Sequence, residues 1–443
     1  MNERRGLQEF QFYKQHMRIL EGEKMKLVDV IKGNLKEIIT KHCSPGFSRS
    51  AAWAGVHAGY ALSMDDEAIR LLSETVRGIM KLRPSIKERF AEKYIEDRLI
   101  DIVFSCHAVP PVTLDTNLLK DTKKLIRKLQ RTTETWIFLV PVVNLRMTGI
   151  KKMSIGEVDF YDLNLKTFKH LESKFSMKLG HQKLLNERQS GLVQNNINVL
   201  AVAKAIAGET QKAQNIALFK VESSLNILRL FDFRRHIGIQ SEFFTAFGRE
   251  DIYYQNLRTK AVGSSHGGPP PARYFPFVVD KTKLDLMRKK GKLSEFDKLL
   301  RGQLSTKLAK KIAMSIHWYG LAVKDKKEVD RFVKLIVALE SLLLGKKDRL
   351  KKQSLKDRVA FILGKDKTTR KDMYELVDQM YSIRGEIVHE GKHDISEEDT
   401  SALIALVRTL IFVMMPISAR LQSLEAIDER IRKIKFGSHL RGI

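Results

Sequence analysis

The chain has 443 residues, of which 79 are Lys or Arg and 52 Asp or Glu, a formal net charge of +27. That length supports two or three domains with a large core, and that charge makes polyanions natural partners, with RNA or DNA leading, unless it is simply a basic solubilising surface. Hydrophobic residues at 43% fit an ordinary globular chain, and two cysteines, Cys43 and Cys106, exclude a disulfide framework.

No apolar run follows Met1 to Arg5, so no secretion signal is expected, and the apolar runs near 136–145 and 409–416 are too short to span a bilayer. Residues 8–108 read as helices, with Leu27, Val28, Val30, Ile31, Leu35, Ile38 and Ile39 at helical spacing, then Ile69, Leu71, Leu72, Val76, Ile79 and Met80. Trp53, Gly55, Gly59 and Tyr60 make a close-packing cluster or a ligand pocket. Cys43 beside His42 lacks the partners that nucleophilic chemistry needs. Pro84 opens a charged helix running towards Phe104. After Pro110 and Pro111, Lys120, Lys123, Lys124, Arg127, Lys128 and Arg131 line one side of a helix whose other side is Leu-rich. This face is solvated or tracks a phosphate backbone.

Residues 132–280 read as mixed α and β: strands at 136–140, 156–160, 198–202 and 275–279, and a helix from Thr210 to Leu230. Gly263 to Pro271 is the clearest loop. It lacks the Lys-Ser/Thr of a phosphate-binding loop, and no G-x-G-x-x-G occurs. The expected division is 1–131, 132–280 and 281–443, in an α+β, mainly α, protein.

The last part is helical and basic. Val329 to Leu344 is an apolar helix with one acid, Glu340, in its hydrophobic part, where an unpaired carboxylate is costly; a cation from Arg384 or Arg358 is expected beside it. Lys346, Lys347, Arg349, Lys351 and Lys352 form a basic, candidate RNA-binding loop. Ser354 and Asp357 open a helix ending near Gly364. Thr369 and Asp372 read as a capping box for a helix over 370–390 stopped by Gly391, and Ser396 with Asp399 opens the next, apolar on almost every side. Short loops between these elements predict a bundle.

Within the 370–390 helix lie Tyr381, Arg384 and His389. An arginine grips phosphate through paired hydrogen bonds and a histidine moves protons near neutral pH, so the pair suits phosphodiester chemistry. His389-Glu390-Gly391-Lys392-His393 also matches H-E-x-x-H. Zinc chemistry on that motif needs both histidines on one continuous helix, and Gly391 interrupts it.

Ile316-His317-Trp318-Tyr319, Leu339-Glu340-Ser341-Leu342 and Tyr381-x-x-Arg384-x-x-x-x-His389 together resemble the HEPN superfamily, most closely its Apea-like branch, over about 300–420. The resemblance implies a helical bundle that dimerises and acts as a metal-independent endoribonuclease of toxin–antitoxin, abortive-infection or other antiviral defence systems. It implies Arg384 and His389 as catalytic residues, with Glu340, Tyr381 and Glu386 in support and no cofactor or metal. Partners would be RNA, a second copy of the chain, and an antitoxin or activating protein; the location would be cytoplasmic, with no membrane. One position departs from the pattern: many active members carry Asn, Asp or His after the arginine, where this chain has Gly385. That departure leaves a second expectation, a non-catalytic HEPN module that binds nucleic acid or protein.

Overall fold

The computed structural model describes residues 26–45, 53–57, 60–82, 84–107, 109–131, 133–143, 145–162, 167, 170–171, 173–174, 197–231, 252–256, 262–265, 277–325, 327–346, 348–391 and 393–436. The protein is α+β and mainly helical. Its residues group into two compact units, one of Met1–Trp136 with Ala205–Ile216, the other of Ile137–Lys204 with Ala217–Ile443.

In the first unit, helix α1 covers 26–42 and winds its last turn, Ile38–His42, as a π-helix. Helices α2 (Asp66–Leu82), α3 (Pro84–Arg89), α4 (Glu92–His107) and α5 (Pro111–Arg131) complete it. The spacing of apolar residues decides which sides face inward. Leu27, Val28, Ile31, Leu35 and Ile38 are buried with Leu72, Ile79, Leu99 and Leu129, while Val30 is exposed. Two expectations need correction. The described residues between 43 and 64 are not helical: β1 (Cys43–Pro45), β2 (Trp53–His57) and β3 (Tyr60–Met64) form an antiparallel sheet in the order β1-β3-β2, with His57 opposite Tyr60. Trp53, Gly55 and Tyr60 therefore lie on two paired strands, too short for their alternation to stand out, and Gly59 lies outside the described residues. The helix expected from Pro84 to Phe104 is interrupted at Phe90 and Ala91, between α3 and α4.

A six-stranded sheet has the order β10-β9-β4-β8-β7-β6, from β4 (Glu134–Val143), β6 (Lys152–Ile155), β7 (Val158–Asp162), β8 (Ile197–Ala207), β9 (Ile252–Asn256) and β10 (Val262–Ser265). Strand β5 (Leu145–Thr148) pairs in parallel with β11 (Phe277–Asp280). Gly156, expected in a strand, makes the turn between β6 and β7 at φ 59°, a conformation that glycine adopts without steric cost. Of the loop expected at 263–271, residues 263–265 lie in β10 and the rest lie outside the described residues.

The second unit takes in helix α6 (Thr210–Leu230) from Ala217 on and continues through α7 (Lys281–Lys289) and α8 (Leu293–Leu300) into six helices: α9 (Lys307–Lys324), α10 (Glu328–Leu343), α11 (Lys351–Leu363), α12 (Lys367–Glu390), α13 (Glu397–Arg420) and α14 (Leu424–Lys435). Short connections fold each helix back on its neighbours, and Leu339, Leu342, Val377, Met380, Leu403, Val407 and Leu410 are buried among them. Thr306, Asp366, Ser396 and Ser423 cap their helices through side-chain oxygens. The box at the start of α12 is Asp366 with Thr369, not Thr369 with Asp372, so the helix begins a turn earlier than expected. Helix α11 likewise starts at Lys351, before Ser354. The apolar run near 409–416 belongs to the 24-residue α13, which is long and apolar enough to cross a membrane; 56% of that apolar stretch is buried inside the protein.

Candidate functional site

Helix α10 buries Phe332, Leu335, Ile336 and Leu339 and carries Glu340 in its last turn at the edge of that core. Helix α12 is anchored by buried Val377, Met380 and Ile383. That anchoring brings Tyr381 and Arg384, one turn apart, alongside Glu340. The Tyr381 hydroxyl donates to Glu340 Oε1 at 2.6 Å, and Arg384 Nε lies 3.7 Å from the same oxygen. The guanidinium also sits over the Tyr381 ring, 5.3 Å from its centroid. The carboxylate expected to need a cation thus has one in Arg384.

Burial, the bond to Glu340 and the nearby carboxylate charge push the Tyr381 hydroxyl up to about 12, outweighing the opposing pull of Arg384. Tyr381 therefore serves Glu340 as a neutral donor. Arg384 keeps 32% of its side-chain surface exposed, against 21% for Glu340. Its fork has five donors, and a single contact with Glu340 leaves the others for a ligand.

His389 is exposed in the last turn of α12, which Gly391 closes at φ 70° with its N–H donating to the Glu386 carbonyl. Among the described residues, His389 has no hydrogen-bond or ion-pair partner, and no contact joins it to Arg384 within one chain. Its neighbour Val388 is 52% exposed, and Glu386 is half-buried in the same turn. A Cβ built on Gly385 would meet nothing within 4 Å, so the empty position after Arg384 is not imposed by packing.

The other candidates separate. Arg358, the alternative partner for Glu340, is buried elsewhere: its Nη1 donates to Asp348 Oδ2 at 2.6 Å and its Nη2 to Asp428 Oδ2 at 2.6 Å. Lys346, Arg349 and Lys351 are exposed, with no ion-pair partner among the described residues; Lys347 lies outside the described residues. Lys352 is held 3.2 Å from Asp378, which Lys356 also grips while lying over the Tyr374 ring. The ties of Asp378 to α11 escaped the sequence reading; the i, i+4 pair of Tyr374 and Asp378 was the available signal.

In the H-E-x-x-H stretch, Gly391 in the left-handed region ends the helix between the two histidines. Among the described residues, no three His, Cys, Asp or Glu side chains cluster as metal ligands. In the first unit, Cys43 is a poor nucleophile: burial, then the charge of Asp65, pushes its thiol up to about 12, although His42 bonds Asp65 nearby at 2.9 Å. Compared with family models, curated proteins and solved structures, the chain matches none.

Proposed function

We propose that the protein is a metal-independent endoribonuclease whose site is completed by two chains, a cytoplasmic effector of the HEPN kind. The observation that carries this reading is Arg384, fixed on one side by Glu340 and Tyr381 and open on the other, with the unpartnered His389 five residues on. On a regular helix those two residues differ by about 140° around the axis and ~7.5 Å along it. One helix alone does not converge them on a single phosphate. A second copy packed against the exposed face around Gly385 and Val388 brings the arginine of one chain to the histidine of the other.

In such a site His389 takes the proton from a ribose 2′-hydroxyl, and the 2′-oxygen attacks the adjacent phosphorus. The bond from phosphorus to the 5′-oxygen breaks, a proton is supplied to that oxygen, and a 2′,3′-cyclic phosphate remains. Arg384 binds the phosphoryl oxygens as their charge builds. The nucleophile belongs to the RNA, so the reaction needs no metal. Exposed Lys346, Arg349 and Lys351 supply positive charge for the RNA backbone.

Incubation of a single-stranded RNA with the full chain in EDTA is expected to give fragments ending in 2′,3′-cyclic phosphate. Arg384→Ala and His389→Ala should each lose activity by about 100-fold or more while remaining folded. A requirement for divalent metal, or undiminished cleavage by both variants, overturns the reading. Gly385 favours a second one, binding without cleavage, because no side chain follows Arg384. Tight RNA binding with intact RNA recovered would establish it.

A further inference from the structure

A second feature of the same unit lies at the C-terminal end of α13. Pro416 stands inside that helix. It has no N–H to give to the carbonyl of Phe412 one turn earlier, so that carbonyl lacks its helical donor. A pocket of about 390 Å³ opens there, with Phe412, Val413 and Pro416 among the residues forming an apolar wall. Its polar side chains are Lys292, Arg420 and Arg430, and no carboxylate lines it. Lys292 and Arg420 have no side-chain partner among the described residues. Elsewhere in the bundle Lys352, Lys356, Arg358 and Arg384 each stand near an acid.

Lys292 is also the one non-glycine residue with positive φ among those described, at 54°, just before α8. That conformation costs a lysine roughly 1–2 kcal/mol. The volume falls at the small end of the range for organic ligands, roughly 300–1,000 Å³. A neutral ligand would leave the cations unused, and an inorganic anion would leave the apolar wall wet.

We propose that this pocket binds a small soluble organic anion with an apolar body, a medium-chain alkyl or aryl carboxylate, its head group between Lys292 and Arg420 and its body against Phe412, Val413 and Pro416. The site does not depend on the nuclease reading. Octanoate is the probe, titrated calorimetrically into the full chain, with 1-octanol as the neutral body of the same length. One saturable octanoate site is expected per chain, which octanol does not compete for. Lys292→Gln with Arg420→Gln, both outside the core, should weaken binding about tenfold or more, since two charge-assisted hydrogen bonds are lost. Val413→Trp should block the site, and Arg384→Ala should bind octanoate as the parent does. Circular dichroism checks that each variant is folded. Absence of saturable binding, equal competition by octanol, or unchanged affinity in the double variant overturns the proposal. So does binding to phosphatidylglycerol vesicles through Lys292 and Arg420 without binding of free octanoate.

Discussion

Glu340 is shared by a neutral phenol and a cation, and the two partners respond to pH at different ends of the scale. Tyr381 keeps its proton up to about pH 12 in the folded chain, against about 10 in an unfolded one. Its contribution to stability is therefore complete below pH 10 and is lost as pH climbs from there to about 12. Tyr381→Phe should cost about 1 kcal/mol at pH 8, the usual worth of one such bond. The gap between parent and variant in urea midpoint should close over the alkaline interval; a gap that persists above pH 12 contradicts the assignment. Gly385 behaves oppositely. It lies inside α12 with open space where a side chain would be. Gly385→Ala should raise stability by about 0.5–1 kcal/mol by removing backbone freedom from the unfolded chain. A melting temperature unchanged or lowered would show that the space is filled in solution, as a second chain would fill it.

Between elements, Arg358 ties together the end of α10, its own helix α11 and α14. Beyond its bonds to Asp348 and Asp428 it also donates to the Leu343 carbonyl. Burial pushes Asp348 up, but the guanidinium and the Gly345 amide outweigh it and hold the carboxyl below its usual range. That stability is present at neutral pH and lost as pH falls through the acid range. Arg358→Ala should cost about 3 kcal/mol, because it strands carboxylates at the edge of the core. Its stability should also depend less on pH on the acid side than that of the parent, which chemical denaturation at pH 3 to 7 would measure. This tie was not legible in the sequence, since Arg358 and Asp428 are 70 positions apart and nothing local pairs them. What was legible rested on local chemistry. Ser396 caps with its own hydroxyl, Gly391 takes a conformation few residues tolerate, and Glu340 on an apolar helix announced its need of a cation. The box at α12 was misplaced by a turn because Asp366, Thr369 and Asp372 all offer capping oxygens at the same spacing. Side-chain type alone does not choose among them.

For the molecule as a whole, the proposed nuclease makes a demand that no single chain meets. If the site is composite, chains carrying Arg384→Ala and chains carrying His389→Ala, each inactive alone, recover activity when mixed. Half of randomly paired dimers are mixed, and one of their two sites keeps both residues, so about a quarter of parental activity is expected. No recovery despite exchange of subunits, followed by mass spectrometry, rules out a site shared in this way. The Arg358 knot has a further consequence, for how the protein can be cut. Lys435 adds a bond to Asp357 at 3.0 Å, so α14 is fastened to α11 at two points. A cloning boundary between 421 and 428 would remove Asp428 and leave Asp348 as the one carboxylate on the buried Arg358 guanidinium. The smallest fragment that keeps α11 in place, and with it the Lys352 and Lys356 grip on the helix bearing Arg384, must therefore extend beyond Lys435.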